Sequence, residues 1–250
     1  MVNLITSEEN KDLLGEYSEK LVELIPEVTT VVNNINLKKA MTAFGDYEKV
    51  FYGDGNIYEH LGKNKFRISA NSFFQTNTKQ AERLYDTAVE FAEFNKDDVV
   101  FDLYSGAGSI AIYISDLVKE VYGFETAKSA IKDAKLNSES NGIKNVHFLT
   151  ADLNRSFSYL LGEKSLPQPN VIIADPPRGG MNPRTVRDCL RLQPAKIVYI
   201  SCNPATQARD IQLLVEGGYN LVKMRPVDMF PHTFHIENVA LLNKLQGNEN

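Results

Sequence analysis

The chain of 250 residues is long enough for one large domain or for one domain with a small appendage. A hydrophobic share of 43% and a charged share of 24% exclude a disordered chain, and the short apolar runs exclude a membrane-spanning helix. Lysine and arginine total 27 against 32 aspartate and glutamate, and the net charge of −5 by itself argues against a nucleic-acid partner.

The N-terminal segment, residues 1–70, is predicted to form a small α/β appendage. Thr6 and Glu9 have the spacing of a capping box, and leucines at helical intervals follow until Pro26, which indicates a helix. Val28–Ile35 is rich in β-branched residues and is predicted to be a strand. Short apolar runs broken by glycines predict small strands and hairpins in the rest of the segment.

The remainder, residues 71–250, alternates between helical and strand patterns, which predicts an α/β domain with a mostly parallel, doubly wound sheet. No helix separates the last two strands, so they are expected to form an antiparallel hairpin. The predicted helices are Thr78–Phe94, Ser109–Val118, Ala127–Ser140, Pro183–Leu192 and Pro204–Glu216. The predicted strands are Val99–Leu103, Glu120–Phe124, Val146–Thr150, Val171–Ala174, Lys196–Ser201, Tyr219–Arg225 and Asn238–Leu245.

A glycine-rich run, Asp102–Ser109, follows the first strand of this domain and is typical of a turn that lets a ligand approach the backbone. Glu125 closes the next strand, where a carboxylate can accept both ribose hydroxyls of an adenosine cofactor. Ala111 replaces the third glycine of the dinucleotide motif, which disfavours NAD and favours S-adenosylmethionine, a cofactor without phosphates. Asp152 is either an adenine contact or an ordinary loop residue.

Two further runs follow strands four and five. Asp175 begins the run DPPRGG, whose prolines stiffen the loop, and its carboxylate is a candidate acceptor for a base N–H; the alternative is a structural turn. Cys202 lies between a strand and a helix, and a helix N-terminus lowers a thiol pKa and favours the thiolate. Cys189, inside an amphipathic helix, is predicted to be structural. Two cysteines exclude a disulfide framework, so a reducing cytoplasm is expected.

The loop between the last two strands offers a candidate base. Glu237, at the edge of an apolar strand, is expected to have a raised pKa. A metal site formed by His232, His235 and Glu237 is a weaker alternative, because no further ligands cluster with them. In the earlier run NSFFQTN, Phe73 could stack on a base, although core packing of Phe73 and Phe74 is the favoured explanation from the run alone.

In this order, the motifs resemble those of the S-adenosylmethionine-dependent RNA uracil-5 methyltransferases. The resemblance covers Arg67 to Leu245, carried by the Phe-x-Gln run and by DLYSGAGSI, ADPPRGG, SCNP and DMFPHTFHIE, and is greatest for the 23S ribosomal RNA branch. It implies a class I, Rossmann-like methyltransferase fold for residues 71–250 and assigns residues 1–70 to part of the family's central domain. Ser105 replaces a cysteine found in many relatives.

The resemblance also implies a role for each matching residue. Cys202 corresponds to the nucleophile and Glu237 to the general base. Phe73 and Arg178 lie in the motifs that contact the substrate. The implied cofactor-site residues are Gln75, Tyr104, Ser109, Glu125, Asp152 and Asp175.

The expected function is therefore methyl transfer from S-adenosylmethionine to C5 of a uridine in structured RNA, with ribosomal RNA favoured over transfer RNA. The family's OB-fold domain and iron–sulfur cluster are not expected in this chain, which resembles a monomeric catalytic portion with weak RNA affinity of its own. N-methylation of an exocyclic amine, a non-catalytic RNA-binding relative and a dinucleotide-dependent redox enzyme are the alternatives. No metal or membrane partner is expected. A basic patch near the site is predicted from Arg178, Arg184, Arg187, Arg191 and Arg209.

Overall fold

The computed structural model describes residues 1–37, 45–155, 157 and 166–245, and the predicted hairpin region at 38–44 lies outside them. Twelve strands and six α-helices are defined within those ranges. In chain order they are β1 (Val2–Thr6), α1 (Lys11–Leu24), β2 (Val31–Ile35), β3 (Tyr47–Tyr52), β4 (Asn56–Leu61), β5 (Asn64–Ser69), α2 (Thr78–Ala92), β6 (Val99–Leu103), α3 (Ser109–Ile114), β7 (Glu120–Glu125), α4 (Lys128–Ser140), β8 (Val146–Thr150), β9 (Val171–Ala174), α5 (Pro183–Leu192), β10 (Lys196–Ser201), α6 (Pro204–Glu216), β11 (Tyr219–Val227) and β12 (Glu237–Lys244).

The central sheet has seven strands in the order β11–β12–β10–β9–β6–β7–β8. Neighbouring strands pair in parallel, except that β12 runs antiparallel to both β10 and β11. The predicted mostly parallel sheet with a final antiparallel hairpin is therefore confirmed. The strand order changes direction between β6 and β9, and open α/β sheets form their ligand crevice outside the carboxyl ends of the strands at such a point.

The core lies on both faces of this sheet, because helices cover each face. Every residue of β6 and β9 is buried. Successive strand residues point to opposite faces, so Val100 packs in the cluster that contains Phe91 of α2, whereas Phe101 packs in the cluster that contains Cys189 of α5. Cys189 is fully buried there, in agreement with its predicted structural role.

The N-terminal segment contains one strand that the sequence pattern missed. β1 pairs in parallel with β2, and β2 pairs antiparallel with β3. The capping-box prediction was wrong, because Thr6 ends β1 and the helix is instead capped by Asn10, whose side chain accepts the Leu13 N–H at 3.1 Å. A β–α–β unit therefore begins the chain where a helix followed by a strand was predicted.

The hairpin β4–β5 packs on the helices of the larger domain. The Arg67 N–H donates to Asn137 Oδ1 at 2.8 Å, and Asn137 Nδ2 donates back to the Arg67 carbonyl at 3.1 Å. Leu61 and Phe66 are buried in the same cluster as the residues of α2. The division at residue 70 stays a prediction, but this hairpin shares its core with the following domain.

Candidate active site

The carboxyl ends of the parallel strands meet at one edge of the sheet and surround a cavity of about 770 Å³. β12 runs in the opposite direction, so its first residue, Glu237, lies at this same edge. The cavity is lined by nine of the ten predicted site residues, namely Phe73, Gln75, Tyr104, Ser109, Glu125, Asp175, Arg178, Cys202 and Glu237.

The glycine-rich run after β6 forms a tight turn along the cavity wall. Tyr104, Gly106 and Gly108 have positive φ angles of 67°, 52° and 82°. A Cβ on Gly108 would lie 2.6 Å from the Phe148 ring, whereas a Cβ on Gly106 would meet nothing within 4 Å. Gly106 therefore supplies open space where a ligand can approach the backbone, and Gly108 is required by packing.

Glu125 is oriented by this turn and by the start of the next helix. Its Oε2 accepts the Gly106 N–H at 3.1 Å, and its Oε1 accepts the N–H groups of Thr126 at 2.6 Å and Ala127 at 2.8 Å. Each carboxylate oxygen has lone pairs left for a hydroxyl group, so these contacts leave the predicted ribose-binding role chemically possible. The Ser105 hydroxyl, buried in the same wall, has no hydrogen-bond partner in the described structure.

Cys202 and Glu237 are brought together by strand register. Ser201 of β10 pairs with Asn238 of β12, so the next residues outward are Cys202 and Glu237. Directly opposed residues of antiparallel strands have Cα atoms about 4.5–5.5 Å apart. Gln207 of α6 secures this end of β12, because its Nε2 donates to the Asn238 carbonyl at 3.1 Å and its Oε1 accepts from Asn238 Nδ2 at 2.6 Å.

The two carboxyl groups near Cys202, those of Glu237 and Asp175, have raised pKa values. Burial raises the pKa of Glu237 to about 7, in agreement with its sequence-based expectation. Burial, and then the charge of Glu237, raises the pKa of Asp175 to about 8. At neutral pH Asp175 is therefore mostly protonated, and its carboxyl group can donate a hydrogen bond to a ligand, whereas the sequence suggested a carboxylate that accepts one.

The Cys202 thiol also has a raised pKa, so the predicted lowering was wrong. Burial contributes most, followed by the charges of Glu237 and Asp175, whereas the positive charge of Arg178 acts in the opposite direction. The lowering expected from the sequence rests only on the helix that begins at Pro204. The carboxyl groups of Asp175, after β9, and Glu237, at the start of β12, lie near the thiol only in the folded chain.

The DPPRGG loop is attached to the start of α6 by hydrogen bonds to its backbone. The Arg178 carbonyl accepts from Asn203 Nδ2 at 3.1 Å and from Thr206 Oγ1 at 3.2 Å. Arg209 Nη2 donates to the Gly179 carbonyl at 3.0 Å. Arg209, predicted as part of a basic patch, therefore binds the backbone of the loop.

Asp210 is the buried centre of this attachment. Its Oδ2 accepts the Tyr199 hydroxyl and the Met181 N–H, both at 2.7 Å. Its Oδ1 accepts from Arg209 Nε at 2.9 Å and Nη2 at 2.7 Å. The carboxylate thus connects strand, loop and helix.

Replacing Asp210 by alanine is expected to lower the free energy of unfolding by about 3–5 kcal/mol, because a buried, paired charge is removed and its partners lose their acceptor. Urea unfolding measures this difference. The exposed Asp97→Ala is the matched control and should change stability by less than about 0.5 kcal/mol. Equal stability of the two variants would show that Asp210 does not support the loop.

Three further observations concern residues that the sequence pattern placed wrongly or missed. Asp152 does not line the cavity; its Oδ1 accepts the Asn154 N–H at 3.0 Å, and Asn154 lines the wall instead. Tyr85 of α2 falls within the predicted helix Thr78–Phe94 and was not singled out, yet it lines the cavity and its hydroxyl lies 2.9 Å from Ser109 Oγ. Phe230 is also in the wall and was not singled out.

The alternative metal site of His232, His235 and Glu237 has no geometric support in the described residues. Within residues 1–37, 45–155, 157 and 166–245, no three His, Cys, Asp or Glu side chains form a group that could bind a metal ion. His235 Nδ1 is instead 2.7 Å from Arg178 Nη2. In the same ranges, no helix has the length and apolar character needed to cross a membrane.

The sequence of the chain matches a known protein family over most of its length. The model of the tRNA (uracil-5-)-methyltransferase family matches residues 30–245. The chain belongs to this family. The match includes the glycine-rich turn, the DPPRGG loop, Cys202 and Glu237.

Curated relatives of the family extend beyond the region that this chain matches. An uncharacterized RNA methyltransferase of Chlorobaculum tepidum is 43% identical over 247 residues, which are 98% of this chain and 51% of the relative. One from Halalkalibacterium halodurans is 42% identical over 244 residues, 97% of this chain and 52% of the relative. The chain therefore spans about half the length of the curated relatives it matches.

A solved structure shares the fold. The Pyrococcus abyssi tRNA (uracil-54, C5)-methyltransferase, solved in complex with S-adenosyl-L-homocysteine, has a TM-score of 0.75 and 33% sequence identity to this family member. The superposition covers 96% of this chain and 55% of that one. The predicted class I methyltransferase fold is confirmed by this similarity together with the strand order.

Proposed function

We propose that this chain transfers a methyl group from S-adenosylmethionine to C5 of a uridine in RNA, with Cys202 as the nucleophile and Glu237 as the proton acceptor. The observation that carries the proposal is the placement of these two side chains side by side at the edge of one cavity, by the register of β10 and β12. C5 methylation requires a nucleophile that adds to C6 and a group that takes the proton from C5, whereas methylation of an amine needs no covalent nucleophile.

The chemistry assigns a separate task to each of the two residues. C5 of uracil is a poor nucleophile, so the Cys202 thiolate first adds to C6 and makes C5 electron-rich, with the charge delocalised onto the C4 carbonyl oxygen. When bound, S-adenosylmethionine supplies an electrophilic methyl group to C5. Glu237 then takes the proton from C5, and elimination across C5–C6 releases the Cys202 thiolate. A pKa of about 7 leaves Glu237 partly ionised at neutral pH, as this task demands.

The wall of the cavity has features that fit the cofactor. The unpartnered Ser105 hydroxyl and the open space above Gly106 offer a polar contact and close access to the backbone. Glu125, at the end of β7, is proposed to hold the ribose hydroxyls. Gln75, Tyr104, Ser109 and Asp175 line the same cavity and complete the proposed site, and the Asp152 contact stays a prediction.

Phe73 and Arg178 are the proposed substrate contacts. Phe73 lines the cavity and leaves 63% of its surface exposed, so its ring is accessible to an unstacked base. A uracil in a structured RNA must leave its stack to reach Cys202, at a cost of a few kcal/mol, and an exposed ring can offset part of that cost.

Covalent trapping with 5-fluorouridine tests the proposal. Fluorine at C5 cannot leave as a proton, so the Cys202 adduct should survive denaturation and migrate as a protein–RNA complex. Transcripts of 23S ribosomal RNA and of transfer RNA containing 5-fluorouridine should be compared at low salt. The 23S transcript is our expected substrate from the motifs; an adduct with transfer RNA alone would move the assignment to that class. No adduct with either would favour a non-catalytic RNA-binding protein.

The carboxyl groups near Cys202 predict a pH dependence of cofactor binding. As the pH rises from 6 to 9, Glu237 and Asp175 lose their protons, since their pKa values are about 7 and about 8. Ionised carboxylates attract the sulfonium charge of S-adenosylmethionine, whereas S-adenosylhomocysteine carries a neutral thioether. We therefore expect the affinity for S-adenosylmethionine, divided by that for S-adenosylhomocysteine, to increase with pH. The increase should be about tenfold for each unit by which the bound sulfonium lowers the pKa of one of these carboxyl groups.

Calorimetric titration of both compounds across this pH range measures that ratio, and the amino-acid part that they share cancels. In Asp175→Asn the increase should be smaller, because only Glu237 remains to titrate near the sulfonium. A ratio that stays constant from pH 6 to pH 9 would show that the sulfonium does not bind next to these carboxyl groups.

A further inference from the structure

One polar contact at the cavity mouth has no role in the chemistry described so far. Arg178 Nη2 lies 2.7 Å from His235 Nδ1, and both residues line the cavity together with Cys202. A guanidinium group can only donate hydrogen bonds, so the Nδ1 atom must accept. As the acceptor of this hydrogen bond, Nδ1 carries no proton, and the ring proton is on Nε2.

Both partners of this contact are held by their own surroundings. The backbone of Arg178 is attached to Asn203 and Thr206 of the α6 start. The His235 N–H donates to Thr233 Oγ1 at 3.2 Å, and its ring packs on the Phe234 ring with centroids 4.2 Å apart. The contact joins the DPPRGG loop to the loop before β12, and Arg178 gains a defined direction from it.

A neutral acceptor has an electrostatic consequence that a carboxylate would not have. In the part of the chain that the structure describes, Arg178 forms no salt bridge, so its charge is not neutralised by a direct partner. Its positive charge lowers the pKa of the Cys202 thiol, whereas burial, Glu237 and Asp175 raise it. Among these influences on the thiol, the arginine is the side-chain charge that favours the reactive form.

We propose that His235 is a positioning residue that holds the Arg178 guanidinium beside Cys202 and so increases the fraction of thiolate. The inference rests on the proposed function only for the use of that thiolate in adding to C6 of uracil. The contact itself, and its effect on the thiol, can be tested without RNA or cofactor.

Alkylation of Cys202 by iodoacetamide as a function of pH provides this test, because only the thiolate reacts. The other cysteine, Cys189, is fully buried, and Cys202→Ala supplies the background. In His235→Ala, the rate at pH 7 should fall about threefold to tenfold, which corresponds to a rise of about half to one unit in the thiol pKa. The rate above the thiol pKa should be unchanged.

Two further variants separate positioning from a general structural effect. His235→Asn keeps an acceptor oxygen near the position of Nδ1 and should restore most of the wild-type pH profile. His232→Ala, in the same exposed loop, should leave the profile unchanged. Unfolding curves of all variants show whether the fold is retained.

The double variant His235→Ala with Arg178→Ala completes the test. If the histidine acts through the arginine, the double variant should alkylate at the same rate as Arg178→Ala alone. A wild-type profile in His235→Ala, equal loss in His235→Asn, or additive losses in the double variant would overturn the proposal. A shifted profile without any 5-fluorouridine adduct would instead retain this inference and reject the proposed function.

Discussion

Replacing Cys202 by alanine is expected to abolish methylation and the covalent adduct with 5-fluorouridine RNA. Without a thiolate at C6, C5 of uracil has no way to become electron-rich, and turnover should fall by more than about 10⁴-fold, the scale seen when a covalent nucleophile is removed. Incorporation of a radiolabelled methyl group measures turnover, and denaturing electrophoresis of the fluorinated RNA measures the adduct.

The chain supplies its own control for this experiment. Cys189 is buried in α5, within the core cluster on one face of the sheet, and does not line the cavity. Cys189→Ala should therefore retain both the adduct and methyl transfer, with a moderate loss of stability at most. Persistent methylation in Cys202→Ala would mean that methyl transfer proceeds without a covalent intermediate, as on an exocyclic amine.

Replacing Glu237 by glutamine is expected to separate methyl transfer from product release. Glutamine keeps the shape and the register of the side chain but cannot take the proton from C5. The methylated uracil should remain attached to Cys202, so a denaturation-resistant adduct should accumulate with unmodified uridine RNA. Turnover should fall by about 10²–10⁴-fold, the usual contribution of a positioned general base.

The pH profile gives a second readout for the same residue. A base must be ionised to act, so wild-type turnover should rise with pH through about 7, the pKa to which burial raises Glu237. Glu237→Gln should lack this limb, whereas the exposed Glu23→Gln should behave as wild type. Normal turnover in Glu237→Gln would assign the proton transfer to another group.

Strands and helices of the larger domain could be predicted because their ends are marked in the sequence. Strands β6, β8, β9 and β10 and the two proline-initiated helices, α5 and α6, have the predicted bounds. Buried parallel strands appear as continuous apolar runs, and a proline after a capping residue defines where a helix starts. β1 lacks this signal, since its residues are only partly buried and its pairing with β2 depends on the intervening helix.

The residues of the candidate site that could be predicted are those in motifs directly after the strands. The carboxyl ends of parallel strands share one edge, so Glu125, Asp175 and Cys202 had to lie near one another. Tyr85 could not be found in this way, because a tyrosine at a helical core spacing is indistinguishable from packing until its hydroxyl is seen at Ser109. The raised pKa of the Cys202 thiol likewise depends on distances between side chains from three strands.

Strand β12 lies antiparallel between β11 and β10, and this makes the proposed catalytic pair, Cys202 and Glu237, sensitive to single-residue insertions and deletions. Successive strand residues point to opposite faces, so a slip of one residue between β10 and β12 would turn Glu237 away from Cys202 while preserving the number of backbone hydrogen bonds. The Gln207–Asn238 pair penalises that slip, because both of its contacts exist in one register only. An insertion or deletion of one residue at the start of β12 is therefore expected to separate Glu237 from Cys202, whereas changes of length in surface loops away from this strand are not.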